Sequence, residues 1–241
     1  MSKWFSGFLI LVAFTQISWA RTAPSKLKDQ LYADMTANHR SLGYRQAREV
    51  LMGKIHLQSS NGQYFIKDVY CEKEFGHRDF SSNPPGPGQI PKETILNTEH
   101  TWPQSRFGGG AKDFQKSDMH HLYPSDNQMN SVRGNNKFGE VNDPERNLKC
   151  PQSRIGRDPM GNWIFEPPKS HRGNVARALF YFSIRYRLAI QPDEEATLRK
   201  WNMDDPVDDF DRYRNDEIEK AQGNRNPFVD NSALADQIAD F

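Results

Sequence analysis

Apolar positions along the chain recur with two periods. Leu27, Leu31 and Met35, and then Ala47, Val50 and Leu51, fall on one helical face, so Lys26 to Lys54 is predicted as helix broken at Gly43. Tyr64 to Tyr70 alternates and is rich in β-branched and aromatic residues, as a strand does. Gly76 to Lys92 reads as loop, Glu93 to Thr101 as a strand, and Arg106 to Gln115, with three consecutive glycines, as a flexible connection. Asp118 to Tyr123 is predicted as a second strand that Pro124 ends, with Asp118 and His120 on one face and His121 on the other. Ser125 to Gln128 has the form of a capping box with Ser125 as N-cap, opening a short helix that runs to Arg133 and stops at Gly134. Gly173 to Ile190 carries an apolar stripe of Val175, Leu179, Phe182 and Tyr186, with Arg177 on the opposite face. Glu194 to Trp201 and Arg212 to Gln222 complete the predicted helices.

The N-terminus changes what must be folded. Lys3 precedes an apolar run from Trp4 to Phe14, and Ser18-Trp19-Ala20 puts small residues where a signal peptidase reads. Residues 1–20 are therefore read as a secretory signal peptide, exporting the protein to the periplasm or the medium. The run is shorter than the roughly 20 residues of a membrane span, so no span is expected after cleavage. Residues 21–241 are read as a single, monomeric domain. Export permits a disulfide between Cys71 and Cys150, and two buried thiols are the other reading. Neither cysteine belongs to a C-x-x-C pair, so a zinc ribbon or thioredoxin-like site has no support.

The formal charge of +1 excludes a uniformly basic surface. Its distribution is uneven. Pro151 to Ile190 carries Arg154, Arg157, Lys169, Arg172, Arg177, Arg185 and Arg187 against Asp158 and Glu166, and an acidic tail follows. This fits a local basic face for a polyanion, with Arg172 and Arg177 as candidate substrate contacts; ion pairs with Glu166 or the acidic tail are the alternative.

The chemistry gathers in Asn97-Thr98-Glu99-His100-Thr101-Trp102-Pro103, Ser117-Asp118-Met119-His120-His121-Leu122-Tyr123-Pro124-Ser125 and Asn130-Ser131-Val132-Arg133-Gly134-Asn135. Strand, loop, strand and short helix outline a ββα metal finger. The predicted class is α+β, with this ββα-metal core surrounded by helices and a small antiparallel sheet. Phosphodiester hydrolysis needs an activated water and charge stabilisation at the phosphate. His100 suits a general base, and the oxygens of Glu99 and Asn130 suit a hard divalent cation. Arg106 and Arg133 are candidates for gripping the phosphate. Asp118, His120 and His121 suit an orienting layer behind the site. One geometric condition applies: strand neighbours point to opposite faces, so Glu99 and His100 share a site only if the strand ends or bulges there.

These blocks resemble the bacterial endonuclease I family, exported nucleases of the ββα-metal (His-Me finger) superfamily. Glu166-Pro167-Pro168, Arg172-Gly173, Ala176-Arg177 and Gln222-Gly223-Asn224-x-Asn226-Pro227-Phe228 extend the resemblance from about Tyr44 to Phe228. The resemblance implies His100 as general base, Glu99 and Asn130 as ligands of one Mg²⁺ (with Mn²⁺ or Ca²⁺ able to substitute in binding), cleavage of DNA and often RNA through backbone contacts, and 5′-phosphate ends. A cysteine-rich insertion that carries the phosphate-binding arginine in characterised relatives is missing between Thr101 and Lys116. Two other classes compete: an exported zinc hydrolase such as a peptidase using His100, His120 and His121, and an inactive nucleic-acid-binding protein. The first lacks an H-E-x-x-H helix.

Overall fold

The computed structural model describes residues 24–145 and 148–241. The signal-peptide assignment therefore lies outside the described residues. Helix α1 spans Pro24–Ala37, and α2 spans Tyr44–Val50 and runs on as a π-helical turn, Leu51–Ile55. Strands β1 (Gln58–Ser60), β2 (Gln63–Lys67) and β3 (Glu74–Gly76) form an antiparallel sheet in which Ile66 faces Phe75. Strand β4 (Leu96–His100), α3 (Lys112–Ser117), β5 (Leu122–Asp126) and α4 (Asn127–Arg133) follow, with β4 and β5 paired antiparallel. A further sheet has the order β6-β9-β8-β7, from Lys137–Phe138, Asp143–Pro144, Arg154–Arg157 and Trp163–Glu166. Its β6–β9 pair is parallel. Helices α5 (Lys169–Tyr186), α6 (Pro192–Asp204), α7 (Asp209–Gln222) and α8 (Pro227–Asp230) close the chain. The protein is thus a mixture of helices and small sheets.

Helix α5 is the spine. Val175, Ala176, Leu179, Phe180, Phe182 and Ile184 are all buried, covering far more than one stripe, as a helix surrounded by protein requires. Gly173 lets α6 approach, because a Cβ there would meet the Asp205 carbonyl at 2.0 Å. Two apolar clusters divide the interior. One surrounds α5 and includes Trp102, which stacks on Phe182 at 5.1 Å. The other joins Leu51, Met52, Ile66 and Phe75 to Leu96, Met119 and Leu122. The β4–β5 pair therefore sits with packed interior behind it, and its strand ends are held firmly.

The structure departs from the sequence reading in five respects. Lys112–Ser117, inside and just beyond the supposed flexible connection, is helix α3; the Gln115 side chain donates to the Gly108 carbonyl at 2.6 Å and ties the glycines down. The second strand starts at Leu122, not Asp118. Met119–His121 is a 3-10 turn, because the Asp118 carboxylate accepts from the His120 backbone N–H at 3.1 Å and caps it. Pro124 does not end the strand but lies within it, opposite Thr98, which a two-stranded ladder with no inner strand allows. The N-cap of α4 is Asp126, accepting from the Met129 N–H at 2.9 Å, while Ser125 still belongs to β5. The single small sheet foreseen is instead three sheets.

Candidate active site

Strand β4 ends at His100. The next N–H, that of Thr101, donates to the His121 carbonyl at 3.0 Å and leads the chain away from the ladder toward Pro103. Both Glu99 and His100 line one open cleft of about 640 Å³, so the strand ending lets the two neighbours share a site. Asn130 reaches the same cleft from α4, one turn before the Gly134 C-cap, whose φ of 55° favours glycine. Arg133 and Lys116 also line it.

The His100 ring is oriented through its Nε2, which donates to the Lys116 carbonyl at 3.1 Å. A carbonyl only accepts, so the proton sits on Nε2 and Nδ1 carries the lone pair. Gln104 Nε2 lies 3.4 Å from that lone pair. Burial, then the neighbouring His121, Lys116 and Arg133, lowers the His100 pKa to about 3, so the ring is neutral and able to accept a proton.

Glu99 is buried, 1% exposed. Arg133 Nη1 approaches its Oε1 at 2.9 Å as an ion pair, yet that oxygen receives no hydrogen bond. Burial raises the Glu99 carboxyl pKa and Arg133 opposes the rise. The Tyr70 hydroxyl lies beside it and also favours the charged carboxylate. The carboxylate is thus a charge in the cleft wall balanced by Arg133, and a bound cation would stabilise its charged form further. Together with the amide oxygen of Asn130, this donor set fits a hard divalent ion that keeps several waters. It does not fit zinc. Among the described residues no three His, Cys, Asp or Glu side chains converge for a metal. His120 donates from Nε2 to the Asn224 carbonyl at 3.0 Å, and His121 from Nε2 to the Gln115 carbonyl at 2.7 Å.

The other predicted residues are distributed as follows. Asp118 is completely buried and accepts from the Tyr181 and Tyr186 hydroxyls and the Gln222 amide, each at 2.8 Å. With His120 and His121 it forms a buried polar layer behind the cleft, in which His121 Nδ1 is left without a hydrogen-bond partner. Arg133 donates to the carbonyls of His100 (3.0 Å) and Thr101 (2.6 Å), so its fork is occupied in bracing the end of β4 and it has no free fork to offer a phosphate. Arg106 does not line the cleft; it turns to Glu194 at 3.1 Å and lies over the Trp102 ring. Arg172 pairs with Glu166 and Arg177 with buried Asp211, and Arg177 is 1% exposed. Cys71 and Cys150 are joined in a disulfide. The residues that the sequence reading passed over are Lys116, Gln104 and Tyr44, all lining the cleft. Only proximity to His100 in sequence could have drawn attention to Gln104; Lys116 and Tyr44 carried no motif signal.

Residues 23–233 match the family model described as Endonuclease I. An extracellular ribonuclease of Bacillus subtilis (strain 168) is 38% identical over 160 residues, covering 59% of this chain and 53% of that protein. An extracellular deoxyribonuclease of Aeromonas hydrophila is 31% identical over 160 residues, 59% of this chain and 68% of that one. A periplasmic deoxyribonuclease of the same organism is 28% identical over 183 residues, 66% of this chain and 76% of that one. The chain spans about half the length of the Bacillus ribonucleases it matches.

Proposed function

The chain belongs to the endonuclease I family, and we propose that it is an exported, metal-dependent endonuclease hydrolysing DNA and RNA with little sequence preference. The observation that carries this reading is the convergence on one cleft of the Glu99 carboxylate, the Asn130 amide and the neutral His100 ring, whose Nε2 is held by the Lys116 carbonyl. In this reading β4, β5 and α4 form the ββα-metal unit.

Glu99 and Asn130 would hold one Mg²⁺, which would supply stabilisation of the charge that develops at the phosphate. His100 Nδ1 takes the proton of the attacking water, and the Lys116 carbonyl on Nε2 holds the ring and stabilises the cation it becomes. Arg133 fixes the backbone from which both Glu99 and His100 project. Loss of the 3′ oxygen leaves 5′-phosphate ends. Contacts to phosphate carry no sequence information, which gives low specificity. Two relatives are named ribonucleases and others deoxyribonucleases, so both sugars remain substrates of this proposal. Their names, extracellular or periplasmic, support export.

The test is a digestion panel of single- and double-stranded DNA and RNA with purified protein, in Mg²⁺ and in EDTA. Internal cleavage in Mg²⁺ that EDTA abolishes is expected; cleavage unaffected by EDTA, or none on any substrate, refutes the reading.

A further inference from the structure

The nuclease reading leaves one role unfilled: a cation for the scissile phosphate. Two cationic side chains line the cleft, Arg133 and Lys116. Arg133 is buried and its Nη donors are bound to backbone carbonyls and to Glu99. Arg106 faces Glu194. Lys116 differs from both. It is exposed, and among the described residues its ammonium has no carboxylate partner. Its Nζ lies over the Tyr44 ring, 5.1 Å from the centroid. That ring is itself 5.4 Å from the His100 ring. The backbone of Lys116 is fixed at the same place, since its carbonyl accepts from His100 Nε2.

Resting on the nuclease proposal, we infer that Lys116 is the residue that contacts the scissile phosphate, with Tyr44 as the positioning residue that holds its ammonium beside His100. One residue then serves the site twice. Its main chain orients the base, and its side chain meets the phosphate that the base's water attacks. A lone ammonium is a point charge without a bidentate fork, so it stabilises phosphate charge with less geometric selection than an arginine. The Tyr44 face offsets this by confining a flexible chain through a cation–π contact. Buried Arg48 supports that ring from 5.3 Å.

The experiment has two arms. Hydrolysis is measured in Mg²⁺ for wild type, Lys116→Met, Lys116→Arg, Tyr44→Phe and Tyr44→Leu. Binding of a fluorescent single-stranded DNA is measured against salt in a His100→Ala background, where the probe stays intact. Lys116→Met is expected to lose about 10²-fold, mainly in kcat, as loss of one charge-stabilising donor does, and Lys116→Arg to recover most of it. Tyr44→Phe should keep the activity and Tyr44→Leu lose it. The binding slope of log K against log salt should become shallower by about 0.7, one single-strand phosphate contact. A wild-type rate in folded Lys116→Met overturns the inference and leaves the nuclease reading standing. Equal losses in Tyr44→Phe and Tyr44→Leu overturn the positioning role. If wild type itself cleaves nothing, the nuclease reading fails, and the binding arm decides: a slope unchanged by Lys116→Met overturns the phosphate contact.

Discussion

Glu99 and Asp118 are both buried carboxylates next to histidines, and the fold treats them in opposite ways. Asp118 receives three side-chain donors at 2.8 Å and a backbone N–H at 3.1 Å. Burial alone would raise its pKa, but the facing His39, His120 and His121 and the Gln222 donor outweigh burial and hold the carboxyl well below the usual range. Glu99 has Arg133 as its ion-pair partner, Tyr70 beside it, and a raised pKa. The first is a closed network that organises α5, α7 and the turn behind the cleft. The second lines a cleft wall with fewer partners. A carboxylate–histidine pair in sequence therefore signals chemistry only where the fold leaves it unsatisfied.

That contrast is broken most severely if Glu99 proves to be structural. Glu99→Gln keeps shape and acceptor but removes charge, so hydrolysis should fall about 10³-fold, the several kcal/mol a catalytic cation supplies. The change also leaves buried Arg133 without its counter-ion, so some stability, up to about 3–5 kcal/mol, should be lost with it; activity per folded molecule kept at the wild-type level reverses the assignment. Asp118→Ala is the mirror experiment. It strands buried donors and should cost about 3–5 kcal/mol in a denaturant titration, while activity per folded molecule is kept. A stable, inactive Asp118→Ala protein would move Asp118 into the chemistry.

Acid sharpens the same comparison. Burial lowers His120 and His121 from the ordinary 6.5 to about 4 each. Between those values the unfolded chain binds more protons, so their contribution is complete above pH 6.5 and lost as pH falls toward 4. Each histidine should remove about 1.4 kcal/mol per pH unit in that window. Melting temperatures at pH 7.5, 6 and 5 check this, and a flat profile contradicts the burial of both rings as neutral groups. The smallest effect is assigned to Arg106→Ala. Loss of a partly exposed pair with Glu194 should cost about 1 kcal/mol, with no measurable change in cleavage rate; a marked fall in kcat would return Arg106 to the phosphate.

The long stripe of α5 and the strand leading into Glu99-His100 were legible because their periods run long enough to register. The sheet formed by residues 137–166 was not, since its strands are two to four residues long and Gly156 interrupts the alternation. Asp118-Met119-His120-His121 read as strand because alternation was weighed above capping, and the Asp118 carboxylate chose the cap. Glu99, His100 and Asn130 were readable as residue types suited to the chemistry, and the condition that the strand end at His100 was readable too. What the arginines do was not. The partners of Arg106 and Arg177, Glu194 and Asp211, lie 88 and 34 residues away, and Arg133 turns to the end of β4. Lys116 stood out only once those pairs were drawn.

Cleavage by folded His100→Ala protein in Mg²⁺ tests the central assignment most directly. With circular dichroism and melting temperature unchanged, hydrolysis should fall about 10²–10⁴-fold, the share a positioned general base contributes. A folded His100→Ala protein that cleaves at the wild-type rate contradicts the assignment of this cleft as the catalytic site.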